Sequence, residues 1–191
     1  MVDDDVDLEE WGIPLKSTSK QRIIWSNIVK TWEQFSGRIP EPSLDIGAAS
    51  TKGRTVSMDP FPRGKVDVRA IGEALPFIES HFASVVLESV LKHVLSPQQT
   101  LEEANRVLRS GSLLFLTSPV NHTDSHRHSF SVKQLCDLID NSGFRIVKKM
   151  GLGFSFSFID GLFQRRGARF YSKIRVPTRI CRTLFVVAKK K

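Results

Sequence analysis

The sequence is poor in cysteine and lacks any long apolar run. Its only cysteines, Cys136 and Cys181, show no metal-ligand spacing, which argues against a cysteine-rich zinc module or a disulfide framework. No apolar stretch approaches the roughly 20 residues that a membrane helix needs. The first residues are acidic, unlike a secretion signal. These absences predict a soluble, cytoplasmic protein with free thiols and no transmembrane segment.

Acidic residues are also missing from the last part of the chain. No acid follows Asp160, whereas arginine and lysine accumulate up to Lys191, and the whole chain carries a net charge of +8. A basic segment over residues 161–191 predicts an anionic partner such as nucleic acid, acidic lipid or acidic protein. The alternative is a solvated surface that only keeps the protein soluble.

The first part of the chain is predicted to contain a poorly ordered N-terminal segment, the lead, and a helix. The 191 residues suffice for one domain with a core. Residues 1–16 predict an acidic, poorly ordered lead, and residues 17–191 a single domain. A helix is predicted over residues 19–35, with Ser19 as its N-cap and Gly37 as its stop. Its wide apolar face consists of Ile24, Trp25, Ile28, Val29, Trp32 and Phe35. That face indicates core packing, with a lid over a ligand as the alternative.

Strands and helices alternate after this point. Strands are predicted at 44–46, 55–58, 66–69, 84–88, 113–117, 145–150 and 183–188. Ser96 and Ser131 are predicted N-caps of two helices. The first helix has Pro97 at its first position and Gly111 just past its predicted end, and the second has a capping box with Gln134. This alternation predicts a mostly parallel sheet covered by helices.

Four residues mark the predicted carboxyl ends of strands: Gly47, Asp59, Glu88 and Ser118. Ligands of such sheets bind at this edge. A glycine turn lets backbone N–H groups approach a ligand, and a strand-end acid accepts hydrogen bonds from ribose hydroxyls. The alternative is an ordinary strand–turn–strand in which Asp59 caps a turn.

Five segments, in their order and spacing, resemble the class I methyltransferases that use S-adenosyl-L-methionine, in particular the small type 11 group. They are LDIGAAS, VSMD, EALPFIESHFASVVLESVLKHV, PQQTLEEANRVLRSGSLLFLTSP and HSFSVKQLCDLIDNSGFRIV. The resemblance covers about residues 44–150, with residues 183–188 as the last strand. It implies an α/β, Rossmann-like fold whose mostly parallel sheet has an antiparallel last strand. It also implies S-adenosyl-L-methionine as the cofactor.

The resemblance further implies roles for single residues. The residues expected to bind the cofactor are Asp45, Gly47, Ala48, Ala49, Asp59, Ile71, Gly72 and Glu88. The turn at 47–49 would lie against the methionine part, Asp59 would accept the ribose hydroxyls, and Ile71 with Gly72 would flank the adenine. Glu88 and Ser89 would face the methyl group or substrate. Glu88 and His128 are the candidate general bases, whereas His93 matches a family histidine that is more often structural.

The chain also departs from the family pattern. Family glycines are replaced near Ala49 and Thr51, and Ile71 stands where the family carries an acid at the adenine amine. Few residues separate Gly47 from Thr55, whereas a parallel crossover usually takes about a dozen or more. The first two crossovers are therefore expected to be shortened, so that one face of the sheet loses its helical cover. The N-terminal helix or a second subunit, as in a homodimer, would cover it.

Three functions remain open at the level of sequence. The first is methyl transfer to an unidentified acceptor, selected through the aromatic and basic insertion over residues 151–182. The second is a catalytically degenerate binding subunit that contacts an anionic partner through its basic C-terminal segment. A nucleotide-binding oxidoreductase is third, because the short crossover leaves little room for a pyrophosphate-binding helix. A zinc site at His122, His126 and His128 lacks a convincing fourth ligand.

Overall fold

The structure is a computed structural model that describes residues 39–48, 56–62, 64–121, 127–154 and 177–191. Several predictions from the sequence fall outside these residues: the lead, the helix over 19–35, most of the insertion over 151–182, and single residues. Those single residues are Ala49, Thr51, Thr55, His122 and His126.

The described residues contain six strands and two helices. The strands are β1 (Ser43–Ile46), β2 (Val56–Met58), β3 (Phe82–Glu88), β4 (Leu108–Pro119), β5 (Phe144–Phe154) and β6 (Cys181–Lys190). The helices are α1 (Pro97–Val107) and α2 (Val132–Asn141). The strands form one sheet in the order β2-β1-β3-β4-β6-β5. β1 to β4 are parallel, and β6 is antiparallel to both of its neighbours, as predicted.

One edge of this sheet collects the ends of several strands. β1 to β4 end there, and we call it the carboxyl edge. β6 pairs Thr183 with Pro119 of β4, so β6 begins at the same edge. β5 pairs Phe154 with Cys181 and therefore ends there too. The chain on both sides of residues 155–176 thus meets the sheet at the carboxyl edge.

The predicted strand over residues 66–69 is not a strand. Only Val68 forms an isolated bridge, to Met58 at the end of β2. Asp67 accounts for this arrangement. Its carboxylate accepts hydrogen bonds from both the backbone N–H and the hydroxyl of Ser57, each at 2.7 Å. A side chain that is bonded to the neighbouring backbone competes with a regular ladder, so only a short remnant of pairing forms.

Helix α1 begins as predicted but ends early. The Ser96 hydroxyl accepts from the N–H of Gln99, and Pro97 occupies the first turn, as expected for a helix start. The helix stops at Val107, so the prediction that Gly111 lies just past its end is wrong. Gly111 instead lies within β4, with a φ of +72°.

Tertiary contacts end α1. The carbonyls of Arg106 and Val107 accept from the backbone N–H groups of Ser80 and His81, at 2.9 and 2.8 Å. The ammonium of Lys190 donates to the carbonyls of Asn105 and Leu108, at 2.6 and 2.7 Å. The last carbonyls of the helix are therefore satisfied by distant segments rather than by a local glycine cap.

Helix α2 follows its sequence signals closely. Ser131 and Gln134 form the predicted capping box, with both reciprocal hydrogen bonds present. Leu135 and Ile139 are buried on its apolar side. Gly143 follows the helix with a φ of +83°, the left-handed conformation that favours glycine.

The apolar core lies on both faces of the sheet, but the two described helices pack on one face only. Leu101, Ala104 and Val107 of α1, with Leu135 and Ile139 of α2, share the larger cluster with strand residues such as Val85 and Leu184. A second cluster consists of Val86, Phe115, Met150, Leu152, Phe185 and Val187. Ile39 and Leu113 pack against it. We call the side of the sheet that carries this cluster the second face.

The apolar residues of the second face are shielded from water. Its six cluster residues are between 0 and 8% exposed. Each large apolar side chain contributes about 1.5–3 kcal/mol by its burial. Six of them together match the net stability of about 5–15 kcal/mol that a typical domain has. No helix in the described ranges packs there, and only nine residues, 47–55, separate β1 from β2.

Candidate functional site at the carboxyl edge

The carboxyl edge brings together the residues that the sequence placed at strand ends. Gly47 follows β1, Asp59 follows β2, Glu88 ends β3, and Ser118 is the penultimate residue of β4. Parallel pairing puts Ile46 beside Met58 and beside Leu87. The turns after β1, β2 and β3 are therefore neighbours, as a ligand site at this edge requires.

Two features of the structure require glycine at position 47. Its φ is +72°, and a Cβ built there would lie 2.5 Å from Cγ2 of Val90. The N–H groups of Gly47 and Ala48 both donate to the carbonyl of Met58, at 2.7 and 3.1 Å. The turn after β1 is thus packed against the loop after β3 and bonded to the end of β2.

Asp59 is a partly exposed carboxylate directly after β2. Its Oδ1 accepts from the N–H of Phe61 at 2.7 Å, so the side chain also caps the following turn. Its backbone N–H donates to the carbonyl of Val68 at 3.2 Å. The sequence offered two roles, a ribose-binding acid or a turn cap, and the observed hydrogen bond establishes that the capping geometry is present.

The carboxyl group of Asp67 supports this turn from the next segment. The hydrogen bonds from Ser57 lower the pKa of Asp67, with the hydroxyl making the largest contribution. Ser57 is buried in β2, whereas Asp67 is exposed. Sequence reasoning missed this pair, since nothing in the local pattern relates a serine in one strand to an acid ten residues later.

The backbone is strained where β3 ends. Ser89 has a φ of +58°, a left-handed conformation that is uncommon for residues other than glycine. Its N–H donates to the carbonyl of Thr117 in β4 at 2.9 Å. Such strain tends to occur at functional sites, where the surrounding structure maintains it. Glu88, which pairs in register with Thr117, is half-buried immediately before this residue.

Ile71 and Gly72 lie in the loop that leads towards β3. Ile71 is an exposed large apolar residue, with 46% of its surface accessible. Gly72 is buried, and a Cβ there would lie 3.0 Å from Thr100 of α1. Ile71 therefore offers an apolar surface to a ligand, while Gly72 permits close packing of the loop against the helix.

Buried acids of this region anchor loops. Glu73 is only 8% exposed, and its Oε1 accepts from the N–H groups of Leu95 and Ser96, at 2.6 and 3.2 Å. These bonds hold the segment between β3 and α1. Glu73 was not a predicted site residue, because an acid in a predicted loop has no local signal that distinguishes burial from exposure.

A second pair fixes the Leu-Pro-Phe loop. Glu103 accepts from the N–H of Leu75 at 2.8 Å, while the guanidinium of Arg106 donates to the carbonyls of Phe77 and Leu75. The two side chains also bond each other, and the Arg106 guanidinium lowers the pKa of the Glu103 carboxyl. The loop that carries Ile71 and Gly72 is thereby attached to α1 through Leu75 and Phe77.

Asp45 is buried within β1. It is 1% exposed and pairs in register with Ser57 of β2 and Val86 of β3. Because register partners point to the same side of a sheet, its carboxyl lies on the second face with Val86.

His128 is attached to the loop after β3. Its Nε2 lies 3.0 Å from the carbonyl oxygen of Val94 and 3.2 Å from that of Leu95, and its ring stacks on Phe130. Because both partners are acceptors, Nε2 carries a proton. Only Nδ1 could then serve as a base, and the ring primarily joins two loops. The described residues contain no group of three or more metal-ligating side chains.

The last lysines of the basic segment have structural partners. Lys190 binds the carbonyls at the end of α1. Lys191 forms an ion pair with Asp140 at 2.9 Å and donates its backbone N–H to the carbonyl of Gly143. These two charges therefore contribute to the packing of the helix ends. No helix of the described ranges has the length and apolar character of a membrane span.

Comparison with known proteins agrees with this geometry. Residues 44–116 match the family model described as "Methyltransferase domain". This segment, less than half of the chain, is therefore similar to the methyltransferase domains of that family. They include β1, β2, β3, α1 and most of the parallel half of the sheet, together with Gly47, Asp59 and Glu88. The match thus covers the turns after β1, β2 and β3 at the carboxyl edge.

Solved structures of methyltransferases share the fold of this chain. One from Thermotoga maritima is described as an S-adenosylmethionine-dependent methyltransferase and possible histamine N-methyltransferase. It has a TM-score of 0.59 and 18% identity, covering 88% of this chain and 99% of that one. An S-adenosylmethionine-dependent methyltransferase from Archaeoglobus fulgidus has a TM-score of 0.59 and 14% identity, covering 90% and 95%. S-adenosyl-L-methionine is the cofactor that the match to the methyltransferase domain implies.

The curated sequence relatives are longer than this chain. Uncharacterized proteins of Mycobacterium tuberculosis and Mycobacterium bovis are 25% identical in an alignment of 138 residues that covers 57% of this chain and 48% of each relative. The chain therefore matches about half the length of these curated relatives.

Proposed function

We propose that the chain transfers a methyl group from S-adenosyl-L-methionine to an acceptor bound at the carboxyl edge. The observation that carries the proposal is the junction of two turns. Gly47 and Ala48 bond to the carbonyl of Met58, and Asp59 is the next residue. A ligand that lies on the turn after β1 would therefore be next to a carboxylate.

The chemistry of the residues at this edge fits that cofactor. The carboxylate of Asp59 is an acceptor suited to two ribose hydroxyls, and the exposed Ile71 is suited to an aromatic base. Gly47 and Ala48 would line the methionine part, Asp45 would support their turn, and Gly72 would keep Ile71 close to α1. The cofactor supplies an electrophilic methyl group, so the protein's contribution is to orient the reactants and to exclude water.

Glu88 and Ser89 would face the acceptor. Glu88 is the better candidate for a general base, because Nε2 of His128 is engaged with two backbone carbonyls. Residues 155–176 connect two strands at the same edge. This connection supports the proposal that the aromatic and basic insertion contributes to the choice of acceptor.

A catalytically degenerate binding subunit is the second candidate. It is favoured by the hydrogen bond from Phe61 to Asp59, because a carboxylate that caps a turn has a structural reason to be present without a cofactor. In this case the basic residues of 161–191 would bind an anionic partner such as nucleic acid.

Thermal unfolding with S-adenosylhomocysteine distinguishes the two. At about 100 times its dissociation constant, a ligand adds roughly 2.7 kcal/mol. For a domain of this size the midpoint would rise by roughly 5 to 11 °C. Asp59→Asn should remove this rise while it retains an acceptor for the N–H of Phe61. Glu102→Ala, an exposed acid on α1, is the control and should keep the rise. A native chain without any rise at millimolar ligand would support the binding subunit instead.

A further inference from the structure

The second face of the sheet needs a cover that the described residues do not supply. Both described helices lie on the opposite face, and the cluster residues of the second face are almost completely buried. We propose that residues 19–35 of this same chain form a helix that packs on the second face, in place of the missing crossover helices.

The described chain fixes where this segment enters. Ile39, the first described residue, packs against the second-face cluster. The residues that follow are attached to β3. The hydroxyl of Ser84 donates to the carbonyl of Pro40 at 2.6 Å, and the N–H of Ala83 donates to that of Pro42 at 2.8 Å. The described part of the chain therefore begins directly beside the cluster.

Chain length limits how far the helix can be from that point. Only residues 36–38 separate Phe35 from Ile39, and four extended residues span at most about 14 Å. The predicted helix of 17 residues would be about 26 Å long. The stretch of β4 from Leu113 to Pro119 that pairs with β6 spans seven residues, or about 23 Å. A helix of this length, tethered at Ile39, matches the extent of the face.

The residues of this segment suit an apolar surface. Ile24, Ile28 and Trp32 recur on one side of the predicted helix, joined there by Trp25, Val29 and Phe35. They would meet Val86, Phe115, Phe185 and Val187 from the sheet. A second copy of the chain, or residues 155–176, would be the other occupants, and neither is tethered at Ile39.

Tryptophan fluorescence tests this proposal in the full chain. All three tryptophans, Trp11, Trp25 and Trp32, precede Ile39. In a Trp11→Phe background, the remaining two report only on the proposed helix. We expect blue-shifted emission and acrylamide quenching several-fold weaker than for a free tryptophan derivative. Quenching equal to that of the free derivative would overturn the proposal.

Substitutions identify the surface that the helix covers. Ile28→Asp should increase acrylamide quenching and the binding of a hydrophobic dye several-fold, whereas Asn27→Asp, on the polar side, should change neither. Ile28→Ala should give a smaller rise if the aspartate variant does not fold. On the sheet, Val187→Thr should increase quenching, and Val147→Thr, at an exposed position in β5, should not.

Light scattering, together with dye binding, distinguishes the candidate occupants of the second face. A monomer with shielded tryptophans supports the proposal. A dimer that binds the dye only after dilution to monomers would assign the face to a second copy. Dye binding that is unaffected by Ile28→Asp and Ile28→Ala, together with accessible tryptophans, would assign it to another segment of the chain. All these measurements proceed without cofactor, so their outcome is independent of the proposed methyl transfer.

Discussion

Two independent structural requirements select glycine at position 47. Its left-handed φ disfavours any side chain, and Val90 occupies the space that a Cβ would need. The sequence indicated the first requirement through the turn of small residues. It did not indicate the second, because Val90 approaches this turn only when β1 and β3 pair.

We expect Gly47→Ala to lower the free energy of unfolding by about 2 kcal/mol, from left-handed strain plus overpacking. Val90→Ala should recover part of this loss in the double variant, because it removes the contacting methyl groups but leaves the strain. Urea denaturation of the four proteins in this cycle measures the coupling. Strictly additive effects would contradict a direct contact between the two positions.

The Asp67 carboxyl leads to a pH prediction. Hydrogen bonds from Ser57 lower its pKa in the folded protein. This carboxylate therefore contributes stability above its ordinary pKa of about 4, and the contribution is lost as the pH falls through the lower folded value. The difference in melting temperature between the native chain and Asp67→Asn should be constant near neutral pH and should shrink below about pH 4. A difference that does not change down to pH 2 would contradict this assignment.

Helix α1 shows that the end of a helix can depend on residues that are distant in sequence. Ser96 and Pro97 specify its start within four residues of sequence, and this start was predicted correctly. Its end depends on Ser80, His81 and Lys190, which are far away along the chain. The predicted stop at Gly111 was therefore wrong, since a glycine is only one of several ways to satisfy the last carbonyls.

The contribution of Lys190 to this helix end is measurable. Its ammonium donates to the carbonyl of Asn105 in the last turn and to that of Leu108 directly after the helix, and it interacts favourably with the negative end of the helix. Lys190→Met should lower the free energy of unfolding by about 1 kcal/mol, because the carbonyls lose a charged donor. Lys189→Met, the neighbouring lysine, is the control and should cost less. Equal losses in urea denaturation would show that overall charge, not the helix cap, matters.

The sequence predicted the core strands better than their limits. The apolar runs at 84–88, 113–117 and 183–188 all lie inside observed strands. The last of these strands extends into residues without an apolar pattern, Lys189 and Lys190, because β5 provides pairing partners for them that no local pattern encodes. The third predicted strand failed for the converse reason, as its Val66 and Val68 alternate correctly but Asp67 binds Ser57 instead. The positions of Gly47, Asp59 and Glu88 at one edge followed from strand order, whereas the loop anchors Glu73 and His128 required the tertiary structure.

At the scale of the whole molecule, Cys181 reports on the integrity of the sheet. It is the first residue of β6, completely buried, with its thiol directed to the carbonyl of Thr178 at 3.3 Å. Burial raises the pKa of this thiol to about 11. At pH 8 only about one thiol in a thousand would be ionised even if it were accessible. Alkylation therefore requires an opening that both exposes the group and restores its ordinary pKa.

The urea dependence of alkylation shows whether Cys181 is exposed by global unfolding or by a local opening. In a Cys136→Ser background, the logarithm of the alkylation rate should rise linearly with urea, with the slope of global unfolding, if β6 separates only when the whole sheet does. S-adenosylhomocysteine at about 100 times its dissociation constant should then slow the reaction about 100-fold, because the ligand binds only the folded state. A rate independent of urea, and unchanged by a ligand that still raises the melting temperature, would indicate a local opening at residues 177–181. Since these residues adjoin the carboxyl edge, that result would place the least stable part of the domain beside the proposed acceptor site.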